Sequence, residues 1–278
     1  MPAVASTTPD ALWSSRAVRL LQPAAVICQG VRRRVGGQRF LDGLDLQLAV
    51  GSRLLLVAEP EAAGSLLLRI LAGLRRADGG SFRIAGAAGP DGSAAGWGRR
   101  LAYVGPEPAP YPWMSAAEML ATSARLLGLA PDVARRRIDE LVGRWGLGEG
   151  LHRPIRRNGL AYAQRSAVAA ALVTDPEVVL LDEPLRAIDP DERIRLLRLP
   201  GRRTTLVLAS RYPASEAGAV NQLALLRDGR VAVHAPISVL QERGLPLSHS
   251  GIDRLAAMVA ASPTIRRSAP AGERRASA

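Results

Sequence analysis

Lysine is absent from this sequence: all 37 basic residues are arginine, against 25 acidic ones, and the formal net charge is +12. No lysine is therefore present to serve as the point charge of a phosphate-binding loop. Cysteine occurs once, at Cys28, which excludes an internal disulfide; a buried structural thiol in a reducing cytoplasm is the expectation. The chain start has no basic stretch followed by an apolar one, so a signal peptide is not expected. The longest apolar runs fall far short of a membrane span. The arginines come in short clusters at 32–34, 135–137 and 202–203 without interleaved aromatics. That pattern argues against a nucleic-acid surface. Codon bias is the plainer source of the charge in a chain rich in Ala, Gly, Leu and Pro, and anionic lipid headgroups are the sharper alternative. His152, His234 and His249 are dispersed, without the spacing of a metal site, and no metal is expected.

What is present is an apolar content of 47%, enough for a full-sized core. Residues 24–35 and 40–50 read as strands around a "GG" turn, and "GSRLLLVA" is a continuous apolar run of the kind that makes a buried central strand. "GSLLLRILAGL" follows with helical spacing. From Pro106 to about Gly159 the texture turns helical. Ser115 with Glu118 three residues on is a capping-box signature, and Asp132 is expected to cap the next helix. "PEVVLLDEP", "TTLVLAS" and "LALLRDGRVAVHA" supply further strands. Strand–helix alternation around a helical middle predicts an α/β core with an inserted helical subdomain. The expected division is a loosely ordered leader at 1–23, a core at 24–110 and 165–245, an insert at 111–164, and a partly disordered tail at 246–278.

Residues 54–74, "LLLVAEPEAAGSLLLRILAGL", outline a phosphate-binding strand, loop and helix. With "QRFLDGLDLQLAVGSRLLLV", "RRLAYVGPEPAPYPWMSAAEML", "AAALVTDPEVVLLDEP", "RAIDPDER" and "LALLRDGRV" in this order, the chain resembles the nucleotide-binding domain of an ATP-binding-cassette (ABC) transporter over about residues 24–245. The resemblance implies a P-loop NTPase-type α/β fold with a mixed sheet and a helical insert. It also implies a subunit that sits under a membrane-spanning partner and pairs with a second such domain around two ATPs.

The motif positions depart from that family. A phosphate loop needs glycines to turn its N–H groups inward, a lysine, and a hydroxyl for magnesium. Here Gly64 stands at the lysine position, and Ala58, Glu61 and Ala63 stand at glycine positions; only Ser65 remains, and a serine there also suits a helix cap. Glu59 and Glu61 add like charge, each costing about 4 kcal/mol at about 4 Å and an effective dielectric near 20. Val35 takes the place of the adenine-stacking aromatic, Pro106 that of the magnesium-sensing glutamine, and Arg211 that of the switch histidine. The signature loop reads Asn158, Gly159, Leu160, Ala161 and Tyr162, with Leu160 and Tyr162 expected to fill space needed by the opposite γ-phosphate. Asp182 and Glu183 keep the family's magnesium-ordering and general-base positions, and Asp189 keeps the D-loop position. These acids either act on a nucleotide or hold loops by hydrogen bonds.

The resemblance so altered implies a subunit with the ATPase fold and no ATP site of its own, at the cytoplasmic face of the membrane. No cofactor is expected in this chain; ATP and magnesium belong to an active partner ATPase. A polytopic membrane subunit is expected to contact Tyr111, Pro112, Trp113 and Met114, residues that would equally suit a core. A weak or partner-completed ATPase and a soluble regulatory pseudo-ATPase are the other readings. Uncompensated acids in the vacated site would be costly, so Arg211 is expected to reach Glu183 or a loop glutamate, gripping it with both ends of its fork.

Overall fold

The computed structural model describes residues 23–89, 99–107, 111–201 and 203–261. Residues 1–22 of the expected leader and residues 262–278 of the tail lie outside them.

The described residues open with β1 (Ala24–Val35) and β2 (Gln38–Ala49), long antiparallel strands joined by the Gly36–Gly37 turn. Both glycines have positive φ, which a tight hairpin requires. Next come β3 (Arg53–Glu59), α1 (Glu61–Leu71), β4 (Gly79–Ile84), β5 (Ala87–Ala88) and β6 (Leu101–Val104). The helical middle holds α2 (Ala116–Leu126) and α3 (Pro131–Arg144), a 3-10 turn at Ile155–Arg157, and α4 (Leu160–Ala171). The chain then returns through β7 (Val178–Asp182), α5 (Pro190–Leu197), β8 (Thr205–Ala209), α6 (Pro213–Glu216), β9 (Gln222–Arg227) and β10 (Arg230–Pro236). The described residues end with α7 (Ser238–Glu242) and α8 (His249–Ala261).

Two sheets result. One is antiparallel, in the order β2-β1-β4-β5; the other is mixed, in the order β10-β9-β3-β8-β7-β6. In the mixed sheet β9, β3, β8, β7 and β6 run parallel, and β10 is the antiparallel edge. Leu54, Leu55, Leu56 and Val57 of β3 are at most 2% exposed, as expected of a strand covered on both faces. One core lies between this sheet, α1 and the antiparallel sheet, with Leu67, Leu68, Ile70 and Leu71 of α1 filling it. Each such fully buried side chain stabilises the fold by about 1.5–3 kcal/mol. The other core lies on the opposite face, where α2, α4 and α8 pack around Trp145, Leu120, Val168 and Leu255.

The helical middle begins with the expected capping box: the Ser115 hydroxyl accepts from the Glu118 N–H, and the Glu118 carboxylate accepts from the Ser115 N–H. Asp132 does not cap α3. Pro131 takes the first helical position with Ala130 before it, so Asp132 falls within the first turn; the fixed φ of proline suits that start. The expected border at 164/165 cuts α4, which runs unbroken across it. The tail expected from 246 onward contains α8, because Ile252, Leu255, Ala256 and Val259 recur at helical spacing and are buried together. Cys28 is buried, and burial pushes its thiol up to about 12.

Candidate nucleotide site

The parallel strands β3, β7 and β8 end together at one cleft of about 250 Å³, lined by Ala58, Glu61, Gly64, Ser65, Pro106, Asp182, Glu183, Arg211 and His249. Ligands of open α/β sheets bind at such strand ends. The sequence leads one to expect a loop of eight residues here. Instead β3 runs to Glu59 and α1 starts at Glu61, leaving only Pro60 between them. Alanines 62 and 63, where a phosphate loop carries flexible residues, are good helix formers, and Glu61 suits the positive end of the helix dipole. The Ala63 N–H donates to the Pro60 carbonyl at 2.9 Å, closing the first turn with a donor that a phosphate loop would aim at its ligand.

Gly64 is buried within this helix. A Cβ there would sit 3.2 Å from the Ala58 Cβ, so glycine lets α1 lie close on β3. Ser65 faces the cleft floor and its hydroxyl donates to Asp182 Oδ1 at 2.8 Å. Asp182 is 1% exposed, and its second oxygen accepts from the Tyr103 hydroxyl at 3.2 Å. Arg69 in turn donates to that hydroxyl at 3.4 Å. Burial pushes the Asp182 carboxyl above the usual carboxylate range, while the bonds from Ser65 and Tyr103 oppose the shift. The sequence reading missed Tyr103 and Arg69. Their signal was weak: alternation along β6 says only that residue 103 faces opposite to 102 and 104.

Glu183 sits just past β7 in a left-handed backbone conformation, φ 51°, fixed by its N–H donating to the Ala209 carbonyl at 3.1 Å. Arg211 reaches it as expected, though not as a fork. The Arg211 Nε and the Arg211 backbone N–H both donate to the same oxygen, Glu183 Oε1, at 3.0 and 2.9 Å. Glu61 Oε2 lies 3.7 Å from that Nε, so one guanidinium answers two carboxylates, and its pKa rises, first through the bond to Glu183. Glu59 does not join this group. It ends β3 pointing to Arg227 of β9, at 2.8 Å, and Arg227 also pairs with Asp253 of α8 at 2.5 Å. Register pairs Glu59 with Arg227 on the adjacent strand, so of the two loop glutamates only Glu61 meets Arg211. His249, at the start of α8, lines the cleft as well, a consequence of the helix not expected in the tail.

The remaining candidate residues are distributed as follows. Val35 ends β1 and is 47% exposed. Gly159, φ 82°, is the N-cap of α4; Leu160 is 51% exposed, whereas Tyr162 is buried. Tyr162 turns inward and its hydroxyl donates to the Leu147 carbonyl at 2.9 Å, so it does not occupy the space across the loop; Ala161 packs partly buried beside it. Asp189 caps α5 by accepting from the Asp191 N–H at 3.0 Å. Tyr111 and Trp113 are exposed, their rings meeting at a tilt with centroids 5.3 Å apart, which removes the core alternative for them; Pro112 is exposed and Met114 partly so. Tyr111 and Met114 line a groove of about 680 Å³ between β6, α2 and α4. Among the described residues no group of three or more His, Cys, Asp or Glu could hold a metal ion, and no helix is long and apolar enough to cross a membrane.

The family described as ABC transporter matches residues 41–186. The aliphatic sulfonates import ATP-binding protein SsuB 1 of Pseudomonas fluorescens is 34% identical over 226 residues, covering 79% of this chain and 80% of its own. The daunorubicin resistance ATP-binding protein DrrA3 of Streptomyces coeruleorubidus is 30% identical over 213 residues, 74% of this chain and 66% of its own. Among solved structures, an ATP-binding subunit of an ABC transporter superposes with a TM-score of 0.71 at 20% identity, covering 85% of this chain and 99% of that one. A nucleotide-free ATP-binding cassette from an ABC transporter gives 0.67 at 13% identity, covering 88% and 98%. The order of strands and helices, the cleft at the strand ends and these likenesses agree: the chain belongs to the ABC transporter family, as an ATP-binding-cassette domain.

Proposed function

We propose that this domain no longer binds ATP and serves as a scaffold in a membrane transporter, docked under a polytopic membrane subunit and paired with an active partner ATPase. The observation that carries this reading is the start of α1 at Glu61. The Ala63 N–H, one of the backbone donors that would cradle a polyphosphate, is spent on the Pro60 carbonyl, and no lysine or glycine-rich loop remains. Arg211 supports it further, since a cation held by Glu183 and Glu61 offsets charge that ATP-bound magnesium would otherwise balance. Asp182 and Glu183 are then structural: the first orders Ser65 and Tyr103, the second anchors the loop after β8. ATP and magnesium act at the partner, and this chain sits peripherally at the cytoplasmic face. The groove beside Tyr111, Pro112, Trp113 and Met114 receives the membrane subunit, and no nucleic acid is involved. The cargo does not follow from the cassette, because relatives of similar identity are named for sulfonate import and for daunorubicin resistance.

One observation favours a second reading, a weak or partner-completed ATPase: Ser65 and Asp182 remain in contact at 2.8 Å, at the positions that the family uses for magnesium. Calorimetric titration of the isolated chain with Mg-ATP separates the two. No heat of binding up to millimolar nucleotide is expected, and a micromolar constant would overturn the scaffold reading.

A further inference from the structure

The antiparallel sheet carries a surface that neither the cleft nor the groove uses. The hairpin of β1 and β2 sets Arg34 directly opposite Arg39, and both are exposed. Opposed residues of such a pair carry their side chains on one face, where like charges destabilise the pairing. The loop after α1 adds Arg75 and Arg76, exposed as well. Asp78 ties that loop to the hairpin. Its N–H donates to the Arg32 carbonyl at 2.8 Å, and its carboxylate accepts from the Arg33 guanidinium at 2.6 Å and the Arg34 N–H at 2.7 Å.

The carboxylates that touch this cluster are already committed. Asp78 spends one oxygen on Arg33 and the other on a backbone N–H. Asp42 offers the single oxygen Oδ2 to Arg39 at 3.5 Å and to Arg230 at 3.7 Å. Among the described residues Arg34, Arg75 and Arg76 form no ion pair. Leu74, beside Arg75 in the chain, is 60% exposed. The exposed aromatic side chains among the described residues, Tyr111, Trp113 and Tyr212, all lie on other elements.

We propose that this edge of the antiparallel sheet is a contact site for anionic phospholipid headgroups: Arg34, Arg39, Arg75 and Arg76 meet the phosphates, and Leu74 rests among the lipids. A phosphate between Arg34 and Arg39 offsets the repulsion that the hairpin register imposes. The planar fork of arginine matches phosphate oxygens two at a time, and each arginine near an anionic bilayer strengthens binding about fivefold. Single-stranded nucleic acid calls for aromatic platforms on which bases stack, and an exposed leucine has no counterpart there. The surface lies apart from the nucleotide cleft, so the contact does not depend on whether the chain binds ATP.

The test is co-sedimentation of the full chain, at low salt, with phosphatidylcholine vesicles and with vesicles in which about a third of the lipid is phosphatidylglycerol. Binding to the anionic vesicles should be stronger by about tenfold or more. Arg34→Glu/Arg76→Glu is expected to weaken it by at least about twentyfold, because two attractive contacts become repulsive. Arg125→Glu/Arg135→Glu, an equal charge change at exposed arginines of α2 and α3, should cost no more than about threefold, since charges beyond a Debye length of the bilayer are screened. Arg34→Glu alone sets a carboxylate opposite Arg39, so its Tm should equal or exceed the parent's, which separates lost binding from lost folding. A lower Tm in that variant, equal binding to both vesicle types, or an equal loss in the two double variants overturns the proposal. Release by inorganic phosphate beyond that caused by chloride of equal ionic strength also overturns it, giving the arginines to a free anion. So does tighter binding of a random DNA duplex than of the anionic vesicles, lost in Arg34→Glu/Arg76→Glu, which gives the surface to nucleic acid.

Discussion

Arg211→Ala tests whether one guanidinium holds the cleft together. In the structure its Nε lies 3.0 Å from Glu183 Oε1 and 3.7 Å from Glu61 Oε2. A hydrogen bond between charged groups contributes about 1.5–3 kcal/mol when well shielded. Here the Arg211 side chain is 46% exposed and that of Glu183 only 12%, and solvent screens the pair, so the lower end applies. Glu183 also keeps the backbone N–H of residue 211, at 2.9 Å, which no side-chain change removes. Against that, the variant leaves two carboxylates facing each other without a cation. At about 6 Å and an effective dielectric near 20 their repulsion approaches 3 kcal/mol before screening and relaxation. The net cost expected is about 1–2 kcal/mol, or a Tm lower by about 3–6 °C in a domain of this size. Differential scanning calorimetry at low and high salt provides the measurement, and the loss should shrink with salt. Repeating the substitution in a Glu61→Gln/Glu183→Gln background supplies the second arm, where most of the loss should vanish because the partners are already neutral. A Tm unchanged by Arg211→Ala, or a loss of the same size in the neutral background, would refute the reasoning.

Other expectations follow from the same geometry. Gly64→Lys alone should not create a nucleotide site: α1 still begins at Glu61, and the new Cβ meets Ala58 at 3.2 Å. The gain of about 1 kcal/mol from removing a helical glycine is offset by that contact, so calorimetry should show a near-unchanged Tm and no Mg-ATP heat. Asp182 carries a pH signature, because its carboxyl is raised by burial and the native state takes up a proton before the unfolded chain does. The penalty on stability develops as pH rises from the unfolded value of about 4 through the folded one and is complete above it. Asp182→Asn should therefore show a flatter dependence of Tm on pH, its difference from the parent growing with pH across that window; parallel curves would contradict this. Tyr162→Phe removes the donor to the buried Leu147 carbonyl and should cost about 1–3 kcal/mol, visible as a lower urea midpoint with an unchanged m-value.

The amino-acid sequence alone determined the succession of strands and helices, because continuous apolar runs such as residues 54–57 and helical spacing such as Leu67, Leu68 and Leu71 follow from local periodicity. It determined the Ser115–Glu118 cap for the same reason, and the absence of lysine at residue 64 by plain identity. Whether residues 61–65 coil around a ligand or wind into a helix was not legible, since that balance depends on how closely α1 can lie on β3, which Gly64 permits. Strand order decided the rest. Glu59 meets Arg227 because β9 lies beside β3, and Tyr103 meets Asp182 because β6 lies beside β7, partners more than seventy residues apart in each case. Charge alone suggested that Arg211 would find an acid, but only the packing of β7 against β8 brought Glu183 and Arg211 together. Periodicity speaks for what a segment becomes; which side chains then share a cleft is set by how the sheet assembles.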